Sequence, residues 1–228
     1  WFLGIPGSSS HALIGGMIGV VFVHVGLDAI KLVGLYKVLL ALLTSPLIGF
    51  ACGFLITRVL YFLVRNATPR VNDVFRNGQL FTALALALSH GTNDSQKVMG
   101  IITLSLVVGG VIPSFQVPFW VIVASAAGIA IGKAFGGWRL IRTLGGKFYK
   151  IRPVHSFSTQ LTSAFVILSA SMLGVPVSTS QVVSSAIVGV GASERFGKVR
   201  WGVVGDILTS WAITIPASAL LSAGVFEL

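Results

Sequence analysis

The sequence predicts an all-α fold: a polytopic helical membrane protein with inverted repeats, broken helices and re-entrant helical hairpins. Three observations carry that expectation. The chain is 54% hydrophobic, and only 10% of its residues are charged; a soluble domain carries about a quarter. Mean hydropathy is +0.92. A Gly/Pro/Ser motif recurs at a fixed offset of 170, and a polar cluster interrupts one of the long apolar runs.

Composition excludes several classes. The runs lack the alternating pattern of barrel strands. The net charge of +10 comes from basic residues between the apolar runs, so membrane topology accounts for it and a nucleic-acid partner is not expected. Cys52 is the one cysteine, which leaves no disulfide framework and no zinc spacing.

The repeat sets the organisation. Gly4–Val20 reads GIPGSSSHALIGGMIGV and Gly174–Val190 reads GVPVSTSQVVSSAIVGV; the same offset superposes Thr44 and Pro46 on Thr214 and Pro216. A partner for Asn93–Asp94 would then precede residue 1. The expected organisation is therefore the second part of an N-terminal repeat (1–64), a short basic cytoplasmic linker (65–78) and a complete C-terminal repeat (79–228), in a chain expected to lack its beginning.

The elements follow in order. Ala12–Ile30 is a helix after the first Gly-Pro-Ser break, and Val38–Val64 is a long span. Gln79–Gly109 is expected to be one discontinuous span, broken at Gly91, because Asn93, Asp94 and Lys97 sit at membrane depth, where ionisable groups are costly. Pro118–Phe135 is a further span. Phe157–Leu173 and Gln181–Ala192 flank the second break; Gln181–Ala192 is too short to cross alone, so the pair reads as a re-entrant hairpin with its tip at Gly174–Ser180. Val203–Phe226 is the last span. Basic stretches at 65–76, 133–152 and 193–200 place those loops in the cytoplasm, and three crossings between the hairpins invert one copy against the other.

The candidate site follows from this layout. Each break opens a helix N-terminus, where unpaired N–H groups and the dipole favour anions. Ser8, Ser9, Ser10, Ser178, Thr179 and Ser180 would surround a small tetrahedral oxyanion with donors. Asp94 beside such an anion requires a cation or proton between them, so Asn93 and Asp94 are the expected ligands of a coupling ion, sodium being the metal considered there. Lys97 and His90 are accessory candidates. Lys97 would pair with Asp94, act on the anion directly or stand in for a bound sodium. His90 would bond a freed carbonyl, and His11 would cap the first Ser cluster. A Ser-based intramembrane hydrolase fails because Ser10–His11 and Ser89–His90 are adjacent pairs that cannot face each other on a helix, with no third orienting group. The protein is not expected to be an enzyme.

HGTNDSQKVMGII (90–102), GVPVSTSQ (174–181), GIPGSSSH (4–11) and the closing GKVRWG…WAITIP (197–216) resemble the PiT inorganic phosphate transporters, most closely the compact bacterial members. That resemblance implies cation-coupled (sodium or proton) symport of inorganic phosphate by alternating access in a multi-pass bacterial cell membrane. It carries phosphate binding to Ser8, Ser9, Ser10, Ser178, Thr179, Ser180 and Asn93, and cation coupling to Asn93 and Asp94. The sequence departs from it in three ways: Gln160 stands where many members have Glu, which puts its share in coupling in doubt; Gln181 stands in place of a frequent His; and the N-terminal copy of the GxND motif is absent. A sulfate permease of the same family is the alternative, and a passive anion channel a more distant one. No cofactor beyond the coupling ion is implied. The partners are phosphate and the lipid bilayer, with a second copy of the chain as an option.

Overall fold

The computed structural model describes residues 7–135, 142, 145 and 148–226. Gly4, Ile5 and Pro6 of the first motif, and most of the basic stretch between 136 and 147, lie outside the described residues. Seven α-helices occur among those described, with no strand. They are α1 (Ser9–His24), α2 (Leu32–Leu63), α3 (Val71–Val108), α4 (Phe119–Phe135), α5 (Pro153–Met172), α6 (Thr179–Glu194) and α7 (Trp201–Phe226).

Two helices, α2 and α7, are long and apolar enough to cross a membrane by length and composition. Each carries an internal proline, Pro46 and Pro216, in the register of the repeat. A proline inside a helix deprives the carbonyl four residues back of its donor. In α2 that carbonyl is Leu42 O, and Ser45 Oγ donates to it at 3.1 Å. The two helices also share a back-bond: Thr44 Oγ1 reaches Leu40 O at 2.8 Å, and Thr214 Oγ1 reaches Ser210 O at 2.6 Å.

The discontinuity expected at Gly91 is absent: α3 runs unbroken through it for 38 residues, roughly 57 Å. An isolated glycine costs a helix only about 1 kcal/mol. The polar side chains of α3 find partners on other segments, so no α3 carbonyl has to be freed for them. The helix also begins earlier than the apolar pattern indicated, taking in residues 71–78.

The breaks lie instead before α1 and between α5 and α6. Gly174, at φ +66°, ends α5 in the left-handed conformation that favours glycine. Val175–Ser178 then turns the chain into α6. Arg152, which caps α5, and Glu194, which ends α6, form an ion pair, and His155 Nε2 lies 3.2 Å from the same carboxylate. The two ends of the α5–α6 pair therefore lie together, as a re-entrant hairpin requires.

Packing exchanges the two copies. The short helix α1 lies along α7: His11 meets Trp211, Gly15 meets Ile215 and Ser218, Gly19 meets Ala219 and Ser222, and His24 meets Phe226. Its counterpart α6 lies along α2, where Gly49 meets Ser185 and Gly189 meets Phe50. Small residues four apart let these backbones approach closely, as at helix contacts in membranes. A β-carbon on Gly189 would stand 2.1 Å from Phe50 O. Helix α6 is the centre of the molecule: Val182, Ala186 and Val190 are fully buried. The third contact sets α3 beside α5 in the same direction, with Thr82 against Gln160 and Asn93 against Ser171.

Candidate functional site

The N-termini of α1 and α6 meet. Ser8, the N-cap of α1, donates its Oγ hydrogen to Ser178 Oγ, the N-cap position of α6, at 2.9 Å. The bonds on either side are reciprocal: Ser180 Oγ donates to Gly7 O at 2.9 Å, and Ser10 Oγ to Val177 O at 3.4 Å. Subtracting 170 from Ser180 and adding 170 to Gly7 turns the first bond into the second. Gln181 and His11, again 170 apart, approach to 3.4 Å. Equivalent residues touching each other, with reciprocal contacts around them, is the pattern of a two-fold relation.

Ser8, Ser10, Ser178 and Thr179 are buried, whereas Ser180 is half-buried. Ser8 also accepts from His11 N at 3.2 Å, which caps α1; the Ser178 side chain makes no equivalent cap bond to α6.

Helix α3 brings its polar residues against this junction. Asn93, 3% exposed, donates to Val177 O at 3.2 Å and accepts from Ser171 Oγ at 3.5 Å. Lys97 Nζ donates to Val177 O at 2.6 Å and to Ser10 Oγ at 2.8 Å. One carbonyl in the hairpin turn thus receives three donors. The carbonyls of residues 175–177 lie outside any helix ladder, which is why that of Val177 is available to side chains.

Asp94 sits at the edge of the junction. Thr179 Oγ1 donates to its Oδ1 at 3.2 Å. His90 Nε2 lies at 3.0 Å, Lys97 Nζ at 3.5 Å and Lys133 Nζ at 3.6 Å. Two ammonium groups against one carboxylate leave the locality positive without any bound cation, which removes the electrostatic objection to an anion beside Asp94. A cavity of about 340 Å³ opens here, lined by Ser9, Asp94, Lys97 and Lys133 among others. The arrangement can surround a small oxyanion with hydroxyl and ammonium donors, and it offers a carboxylate to a cation or proton.

Eight of the sequence-predicted residues meet at or beside this junction: Ser8, Ser10, Ser178, Thr179, Ser180, Asn93, Asp94 and Lys97. Ser9 is exposed and faces the cavity, not the Ser8–Ser178 contact. His90 bonds the Asp94 carboxylate in place of a freed carbonyl, since α3 frees none. His11 turns its Nδ1 to Trp211 O at 3.1 Å. Gln160 lies apart: its Oε1 accepts from Thr82 Oγ1 at 2.6 Å, eleven residues or roughly 16 Å along α3 from Asn93. Sequence reasoning missed Lys133, Ser171 and the Val177 carbonyl. Lys133 belonged to a basic stretch read only as topology. Nothing local marks Ser171, and a carbonyl acceptor leaves no trace in residue identity beyond the Gly-x-Pro that frees it.

The phosphate transporter family matches residues 1–222. A probable low-affinity inorganic phosphate transporter of Rhizobium meliloti (strain 1021) is 44% identical over 225 residues, covering 98% of this chain and 67% of that protein. Its namesake from Bacillus subtilis (strain 168) is 42% identical, covering 98% and 68%. The chain thus spans about two thirds of the length of these two relatives. In fold it is similar to a solved structure called the sodium-dependent phosphate transporter, with a TM-score of 0.84 and 24% identity over 98% of this chain and 74% of that one. The relatives are named as transporters, which makes this a membrane protein and not an enzyme. By its match along nearly the whole sequence and its identity to these relatives, the chain belongs to the phosphate transporter family.

Proposed function

We propose that this chain carries inorganic phosphate across the bacterial cell membrane by cation-coupled symport, with the anion seated between the N-termini of α1 and α6. The Ser8–Ser178 contact at 2.9 Å is the observation that carries the reading. It brings two helix N-termini, with their dipoles and hydroxyls, to one point. Phosphate binding is assigned to Ser8, Ser10, Ser178, Thr179, Ser180 and Asn93, with Ser9 at the cavity mouth. The names of the relatives, inorganic phosphate transporters, support phosphate over sulfate.

Coupling is assigned to Asp94. A sodium ion or proton arriving there competes with Lys97 and Lys133 for the carboxylate. Release of Lys97 would loosen its bonds to Ser10 and Val177, which tie α1 to the hairpin. Alternating access would then rock the two copies, inverted in the bilayer, about this point. Gln160 carries no charge, so a share in coupling would be limited to amide ligation at a separate position.

The test is equilibrium binding of labelled phosphate to the purified protein in detergent, with sulfate as competitor and with sodium and pH varied separately. Phosphate binding that sulfate does not displace, and that Ser8→Ala/Ser178→Ala weakens, supports the assignment. Sulfate binding in its place would keep the site and change the substrate.

A further inference from the structure

A second, unrelated pocket lies at the ends of the hairpin. Lys150, Arg152, Lys198 and Arg200 line a cavity of about 500 Å³ with Tyr149. The first two come from the segment before α5 and the last two from the segment before α7. Among the described residues Glu194 pairs with two of them, Arg152 and, at 2.7 Å, Lys198. Lys150 is exposed and makes no hydrogen bond or ion pair among the described residues.

Immediately beside this pocket opens an apolar cavity of about 780 Å³, walled by residues such as Phe148, Trp201, Val204 and Leu208. The two spaces share a seam. Phe148 and Tyr149 are consecutive, as are Arg200 and Trp201, and Arg200 N donates to Phe148 O at 3.1 Å. The chain therefore presents basic side chains on one side of the seam and apolar ones on the other. Phe196 and Trp201 stack at 6.3 Å near the rim, both exposed, in the manner of aromatic anchors at the headgroup level of a bilayer.

We propose that this is a binding site for an anionic phospholipid, its phosphate among Lys150, Arg152, Lys198 and Arg200 and an acyl chain in the cavity beside them. Basic pockets between membrane helices on the cytoplasmic side suit phosphate-bearing headgroups, and the apolar cavity beside the cations gives the acyl chain its place. Free phosphate would satisfy the same cations but leave that cavity unused. The basic pocket is separate from the Ser8–Ser178 junction, while the far wall of the apolar cavity reaches His11 and Gln181 beside it.

Trp201 and Trp211 both line the cavity and report on it. The experiment is energy transfer from tryptophan to phosphatidylglycerol carrying a dansyl-labelled acyl chain, with the purified protein in detergent. Unlabelled phosphatidylglycerol should displace the probe, while phosphatidylcholine and inorganic phosphate should not. Lys150→Gln should weaken binding about fivefold, the effect of one basic residue at an anionic surface. Leu208→Phe, which narrows the cavity, adds no tryptophan donor and leaves every charge in place, should weaken it as well. Equal displacement by phosphatidylcholine, displacement by inorganic phosphate, or wild-type affinity in both variants would overturn the proposal.

Discussion

Ser8 and Ser178 stand 170 positions apart and share a hydrogen bond of 2.9 Å between their hydroxyl oxygens. That separation equals the repeat offset, so the contact joins a position to its own counterpart. If phosphate sits there, each hydroxyl donates to a charged oxygen. Ser8→Ala and Ser178→Ala should each weaken phosphate binding about tenfold, with far-ultraviolet circular dichroism unchanged. The double variant should lose more than the product of the two, because either single change already removes the Ser8–Ser178 bond that phosphate has to break. Calorimetric titration measures all three.

Lys133 approaches Asp94 from α4 and is 40% exposed at its side chain. Its contribution is therefore partly screened. Lys133→Gln should raise the KM for phosphate uptake severalfold at low ionic strength, with the difference shrinking as salt is added. A salt-independent change would assign Lys133 a direct contact instead.

Gly189→Val should damage the fold. The added β-carbon would meet the Phe50 backbone, which cannot swing aside as a side chain can. Overpacking of this kind costs about 1–3 kcal/mol or more, visible as a lower melting temperature in detergent. Gly16→Ala, with open space around it, is the control and should melt like the parent.

Glu194 closes the hairpin, receiving Arg152 and Lys198 with His155 beside it. Glu194→Gln should lower thermal stability. A double-mutant cycle with Arg152→Gln should return a coupling of roughly 0.5–3 kcal/mol. Zero coupling would mean that the hairpin ends are held by α5–α6 packing alone.

The repeat was legible because both copies retain the same Gly, Pro and Ser at the same spacing, and the junction of Ser8 with Ser178 follows from that register. The short helix α6 and its hairpin were legible from its length. Gly91 misled because polar residues in an apolar run suggested freed carbonyls in α3; the carbonyl actually used, Val177 O, lies 80 positions from Lys97. Lys133 and Ser171 were hidden for a related reason. Their roles depend on which helices pack together, and neither α3–α4 nor α3–α5 contact is written in local pattern. Gln160 was attached to the site by resemblance, yet the register of α3 on α5 sets it against Thr82.

The central claim is that Asp94 couples a cation to an anion bound at the junction. Its most direct test is labelled-phosphate accumulation by the protein reconstituted in liposomes, under an imposed sodium or proton gradient, beside Asp94→Asn. The predicted result is that the wild type concentrates phosphate above the external level, while Asp94→Asn still binds phosphate and fails to concentrate it. Accumulation by Asp94→Asn equal to wild type, or mere equilibration by the wild type, would contradict the account.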